Sequence, residues 1–228
     1  MRKFVSIVLI SSVLLLCAVP AAIAGKKEAG KIIGDSTYVD NKFGFSFTKP
    51  GTWKFKKVFE DKDIERLILI QKSPVVPAQF AKHRSYFTQP QVTILAYEAD
   101  IKAKKYKDVL LAEKGKDKLR KKAYQEFILL QQDSKYSFEV KRTRSVKVGG
   151  KHGVRIIGRK EYYWDFGGGD HISDFMSGSI YVIDADNGIV LIEFVCEREM
   201  LRTLQSDFDA ILGSFVFFKS EQKESKEN

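Results

Sequence analysis

In "NKFGFSFTKPGTWKF", Phe43, Phe45 and Phe47 alternate with small or polar residues, the period-two pattern of a strand buried on one face. Lys49-Pro50-Gly51-Thr52 interrupts it as a turn, because proline presets one backbone angle and glycine accepts the unusual one. Trp53 and Phe55 resume the alternation. "ERLILIQ" (65–71) is apolar on both parities, which predicts a strand covered on both faces, and "QVTILAYEA" (91–99) predicts the next strand. Between them runs a long loop, "KSPVVPAQFAKHRSYFTQPQ", with three prolines. Long loops carrying aromatic residues are frequent binding surfaces, so His83, Arg84, Tyr86 and Phe87 are candidate contact residues. The same aromatic side chains could equally do no more than pin the loop to the domain.

The period changes at "KDKLRKKAYQEFILLQQ" (116–132). Leu119, Ala123, Phe127 and Leu130 recur at helical spacing, with Lys118, Arg120, Lys121 and Lys122 on the other face. An amphipathic helix of this kind covers a sheet or lies on a membrane surface. Beyond it, "YSFEVKRTRSVKV", the turn "GGKHG" and "VRIIGRKEYYWDF" alternate again, followed by "GGGD", "HISDFMSGSIYVIDA", "DNG" and "IVLIEFVCE". Asn187-Gly188 between apolar runs is a strong hairpin signal, so the block reads as an antiparallel meander. Leu201, Leu204, Phe208, Ile211 or Leu212, and Phe215 then hold one helical face, and Gly213 stands where that helix ends.

The ends of the chain read differently. Arg2 and Lys3, the apolar run Phe4–Val19 and the small residues Ala22-Ile23-Ala24 make residues 1–24 a secretory signal peptide cleaved near Ala24-Gly25. The apolar run is short for a membrane span, which needs roughly 20 residues, so the expected protein is periplasmic or secreted with no transmembrane span in its mature chain. Residues 25–37 read as a linker, 38–218 as a single domain and 219–228 as a disordered charged tail. Removing the signal leaves one cysteine, Cys196, in a strand-like run where a buried inert thiol is expected. With no internal disulfide available, a sizeable core must hold the fold.

Charge adds the main functional hint. The chain is formally +10, and losing Arg2 and Lys3 leaves +8. Residues 101–123 hold ten Lys/Arg against Asp108, Glu113 and Asp117. Lys104, Lys105, Lys107, Lys118, Arg120, Lys121 and Lys122 are therefore the candidate binding surface, for an acidic protein or an anionic envelope surface. A solvated helix face explains the same residues without a partner. Nucleic acid fits the charge but not export.

Catalytic chemistry finds little support. There is no G-x-S-x-G, Walker loop or dinucleotide fingerprint, and the histidines are isolated. "EYYWDFGGGDHISDF" concentrates Asp165, Asp170, His171 and Asp174 around three glycines. A metal-dependent hydrolase would need those side chains to converge, whereas alternate strand residues point to opposite faces, so the glycines are expected to form only a hairpin tip. No catalytic residue, metal ligand or cofactor is assigned.

The opening "NKFGFSFTKPGTWKF" resembles the F-x-F-x-x-P-x-x-W start of the PsbP-like family, named for the extrinsic subunit of photosystem II. "FDAILGSFVF" is similar to that family's closing helix, which ends in Ser-Phe before a short final strand. The resemblance covers roughly residues 38–218. It implies an α+β fold, an antiparallel sheet flanked by helices as an α/β/α sandwich, serving as an exported accessory or binding module. It brings no catalytic residues with it. A structural envelope protein with no specific ligand is the plainer alternative.

Overall fold

The structure is a computed structural model and describes residues 30–60, 64–82, 84, 87, 89–99, 102–105, 137–165, 167–169 and 171–220. Among the described residues, eleven strands form two antiparallel sheets. The smaller contains β1 (Gly30–Ile33), β2 (Thr37–Asp40), β3 (Phe45–Thr48) and β11 (Val216–Phe217), in that order. The larger holds β4 (Trp53–Glu60), β5 (Ile64–Gln71), β6 (Gln91–Tyr97), β7 (Ser137–Val148), β8 (Lys151–Asp165), β9 (His171–Ala185) and β10 (Gly188–Glu197). Its spatial order is β4-β5-β6-β10-β9-β8-β7, so β10 is central and β4 and β7 are edges. The helix α1 (Leu201–Gly213) lies between β10 and β11 in the chain.

Strand burial follows the hydrophobic runs. Residues 67–70 of β5 and 92–97 of β6 are buried throughout, as runs apolar on both parities require. The side chains of the large sheet divide between two apolar clusters. On one face Leu67, Ile94, Tyr181 and Ile192 pack with Phe45 and Phe47 of the small sheet and with Leu204, Phe208 and Ile211 of α1. On the other, Leu95, Ile156, Val182 and Leu191 pack with Tyr97 and Ala103. Between the sheets, the Phe215 ring stacks 4.9 Å from Phe47 and 5.9 Å from Phe45. Burying each such ring stabilises the fold by about 1.5–3 kcal/mol.

The turns follow from their residues. Trp53 N–H donates to Pro50 O at 3.0 Å, closing the turn read from "KPGT". The β7–β8 connection is tighter than the five residues expected. Only Gly149 and Gly150 lie outside the ladder, with φ of 53° and 80°, the positive pair of a type I′ hairpin. At the end of α1, Ser214 Oγ accepts Thr48 N–H at 2.9 Å and donates to Ile211 O at 2.7 Å, linking the helix terminus to β3. The chain then leaves the helix to pair as β11.

Three expectations change. Residues 30–33, read from composition within the linker 25–37, form β1 and pair with β2. Ile32 and Ile33 are exposed, so ladder hydrogen bonds rather than burial place this strand. The antiparallel architecture expected as one sheet is two sheets, the second built from three consecutive short strands within residues 30–48 and joined by β11 from residues 216–217. Among the described residues, α1 is the one helix longer than a turn, and the described architecture is mostly antiparallel sheet; the segment 116–132, read as a second covering helix, lies outside the described residues. No described helix is long and apolar enough to cross a membrane.

Candidate functional site

β6 sets the geography. Its first residue, Gln91, lies at one end of the large sheet and its last, Tyr97, at the other, about 20 Å away at ~3.3 Å per residue. The loop entering β6 brings Arg84 and Phe87 to the Gln91 end, where they line a cavity of about 520 Å³ with Lys56, Ile70 and Gln91. Phe87 is half-buried and packs 5.6 Å from the buried ring of Phe80, so this aromatic pins the loop to the core. Arg84 is exposed at the rim; His83 and Tyr86 lie outside the described residues.

The basic segment starts at the opposite end. Ala103 is buried, and its N–H donates to Asp184 Oδ1 at 2.7 Å. Asp184 is the ladder partner of Ile189, which also faces Tyr97. Lys104 and Lys105 follow Ala103 and are exposed. Lys107, Lys118, Arg120, Lys121 and Lys122 lie outside the described residues. The described members of the two candidate surfaces thus sit at opposite ends of one sheet rather than side by side.

At the Tyr97 end a cleft of about 560 Å³ is lined by Lys102, Lys151, His152, Asp184, Asp186 and Lys219. Lys151 Nζ lies 2.5 Å from Asp186 Oδ1. That hydrogen bond is the main reason the Asp186 carboxyl is held below its ordinary range; burial opposes it, and a hydrogen bond from the Ser220 backbone adds to the lowering. Asp184 and Asp186 are each engaged, by Ala103 N–H and Lys151, while Lys102 and Lys219 add positive charge at the rim. The cleft is not legible in the sequence. Its residues come from segments near 102, 151, 185 and 219, and only the hairpin turns "GGK" and "DNG" mark them locally.

Chemistry elsewhere is sparse. The glycine triplet 167–169 is left-handed and exposed at a hairpin tip, with Asp165 registered against His171 and Tyr162 against Asp174. Asp170 lies outside the described residues, and among the described residues no group of three His, Cys, Asp or Glu could hold a metal. Glu193, within the apolar run of the central strand, is buried beside its ladder partner Thr93, a carboxylate that its apolar neighbours conceal in the sequence. Cys196 is fully buried, and burial first, then the Glu197 charge, pushes its thiol up to about 12. Thiolate is the reactive form, so at pH 8 its fraction is on the order of 10⁻⁴. In mass mapping of iodoacetamide-treated protein, the Cys196 peptide is therefore expected to stay unmodified at pH 8 until denaturant is added; ready labelling of the native protein contradicts its burial.

No family model matches the chain, and no curated protein matches it. Solved structures do. The chain is similar to the solution structure of cyanobacterial PsbP (CyanoP) from Synechocystis sp. PCC 6803, at 14% identity over 83% of this chain and 98% of that one, with a TM-score of 0.49. A PsbP-type structure is thus among its neighbours. A second is LpqN, involved in cell envelope biogenesis of Mycobacterium tuberculosis, at 12% identity, 82% and 87% coverage and a TM-score of 0.40. A third, from Bacteroides thetaiotaomicron, has 10% identity, covers 83% of this chain and 51% of that one, and has a TM-score of 0.39. At these identities no residue role passes to this chain.

Proposed function

We propose that this protein is an exported, non-enzymatic accessory module. It docks an anionic partner, in the first place the anionic envelope surface, through the end of the large sheet where β6 finishes. The observation that carries this reading is the gathering of Lys102, Lys104, Lys105, Lys151 and Lys219 around and beside one cleft, from segments distant in the chain. Lys102, Lys104 and Lys105 are the first cations of the lysine-rich run 101–123, so the rest of that run extends the same positive field in this reading. Each lysine held near an anionic membrane surface contributes about 1 kcal/mol of attraction, and the attraction is screened within a Debye length of roughly 8 Å at physiological salt.

The test is co-sedimentation of the protein with phosphatidylglycerol-containing vesicles at low and high salt. Reversing Lys102, Lys104 and Lys105 to glutamate is expected to weaken binding at least ~10-fold at low salt and to flatten its salt dependence. The three side chains are exposed, so the fold should survive the change. Binding that is absent at low salt, or indifferent to salt, rules the docking reading out.

A further inference from the structure

The edge strand β7 carries a second concentration of charge. Residues 141–151, "KRTRSVKVGGK", include no acid, and Lys141, Arg142, Arg144 and Lys147 are exposed. Part of this has a plain explanation: charged side chains on an edge strand discourage pairing with another chain. Edge protection does not account for Arg155. It lies one strand inward, on β8, directly across the ladder from Arg144. Residues opposite one another have Cβ atoms about 5 Å apart, and like charges there repel. Arg142 and Arg144 are two steps apart with no register shift between them, so Arg142 adds a third guanidinium on the same face.

Arg155 is half-buried and held in one place. Its guanidinium carbon lies 5.3 Å from the centroid of the Tyr181 ring, its ladder partner on β9. Its Nε and Nη2 both donate to Ser179 Oγ, at 3.3 and 3.1 Å. Those contacts fix one edge of the guanidinium fork and leave the Nη1 donors to other partners. No carboxylate among the described residues pairs with Arg142, Arg144 or Arg155. Asp209, whose charge acts on Tyr181, accepts from Gln205 Nε2 at 2.8 Å. Opposed arginines, one of them preorganised by an aromatic face and a hydroxyl, match a planar or tetrahedral oxyanion rather than a solvated surface.

We infer that Arg144 and Arg155, with Arg142 beside them, form a seat for a phosphate-type oxyanion on the α1-facing side of the β7–β8 hairpin. The seat is distinct from the lysine cleft. It recognises phosphate through guanidinium forks, whereas the cleft attracts anions by charge alone. Free phosphate and a lipid headgroup share this chemistry, and the arms of one experiment distinguish them.

Thermal unfolding of the protein is followed with sodium pyrophosphate and, separately, with sodium chloride at matched ionic strength. Pyrophosphate is expected to raise the midpoint by ~3 °C over chloride. Arg144→Gln, an exposed change that removes the like-charge contact, should fold at least as stably as the parent and lose that shift. Arg155→Lys keeps the charge but not the fork and should lose most of it. Lys102→Gln with Lys219→Gln should retain it, which separates the seat from the docking cleft. In a parallel arm, phosphatidylglycerol vesicles are compared with phosphatidylcholine vesicles: Arg144-dependent protection by vesicles but not by pyrophosphate assigns the phosphate to a lipid headgroup. The seat is overturned if chloride reproduces the effect and vesicles add nothing, or if Arg144→Gln leaves every shift intact.

Discussion

Trp53→Ala is expected to lower the unfolding free energy by about 4 kcal/mol, within the range measured for removing large aromatic side chains from cores. Trp53 begins an edge strand, a place where many side chains are half-exposed, yet it is fully buried. Its ring lies 5.7 Å from Phe208 of α1, and its Nε1–H donates to Asp207 Oδ2 at 2.7 Å. Thr52 Oγ1 donates to the same oxygen at 3.1 Å. The indole therefore joins β4 to α1 in two ways, and the two can be separated. Trp53→Phe keeps most of the apolar volume and loses the charge-assisted hydrogen bond. Because Asp207 is only half-buried, water can replace that donor, so Phe should cost about 1.5 kcal/mol, at the low end for bonds to charged groups. Urea unfolding followed by far-ultraviolet circular dichroism measures both variants. An alanine variant within 1 kcal/mol of the parent would mean that Trp53 does not sit between the strand and the helix.

That anchor was legible from the sequence, because turn chemistry and alternation are local signals. "KPGTW" announces the turn, and Trp53 and Phe55 announce the strand after it. The continuous apolar runs of β5, β6 and β10 were equally plain, and the buried inert Cys196 followed from one of them. β1 was not legible, since Ile32 and Ile33 are exposed and the strand exists through pairing with β2. The Arg144–Arg155 opposition lay between these extremes. Val148 pairs with Lys151 across Gly149-Gly150, and stepping outward from that pair brings Arg144 to Arg155. Assigning a five-residue turn, "GGKHG", instead of a two-residue one hid the register and so hid the pair. The lysine cleft is further out of reach. Its residues meet because β6, β8, β9 and β10 end on one side of the sheet, a consequence of strand order that no local pattern encodes.

Strand order also explains why the second large effect is expected at Gly188. This glycine opens the central strand β10 immediately after the Asp186-Asn187 turn. A Cβ placed there would lie 2.1 Å from Tyr97 O and 2.9 Å from Glu98 Cα, both backbone atoms at the end of the adjacent strand β6. Neither can yield easily, because Tyr97 is registered against Ile189 on one side and Ile64 on the other. Its φ of 157° is in addition one that side-chain-bearing residues rarely adopt. Gly188→Ala should therefore destabilise by roughly 4 kcal/mol or prevent soluble folding, as an overpacked site with a strained backbone does. Gly150→Ala supplies the comparison. It has a φ of 80° but nothing within 4 Å of its would-be Cβ, so only the left-handed strain of about 1–2 kcal/mol applies. The gap between the two variants in the same urea experiment measures the close approach of β10 to the end of β6, the contact that holds the cleft's two sides together. If the two alanines cost the same, the strands are not so closely set, and the lysines gathered at that end of the sheet lose the rigid frame that the docking reading requires.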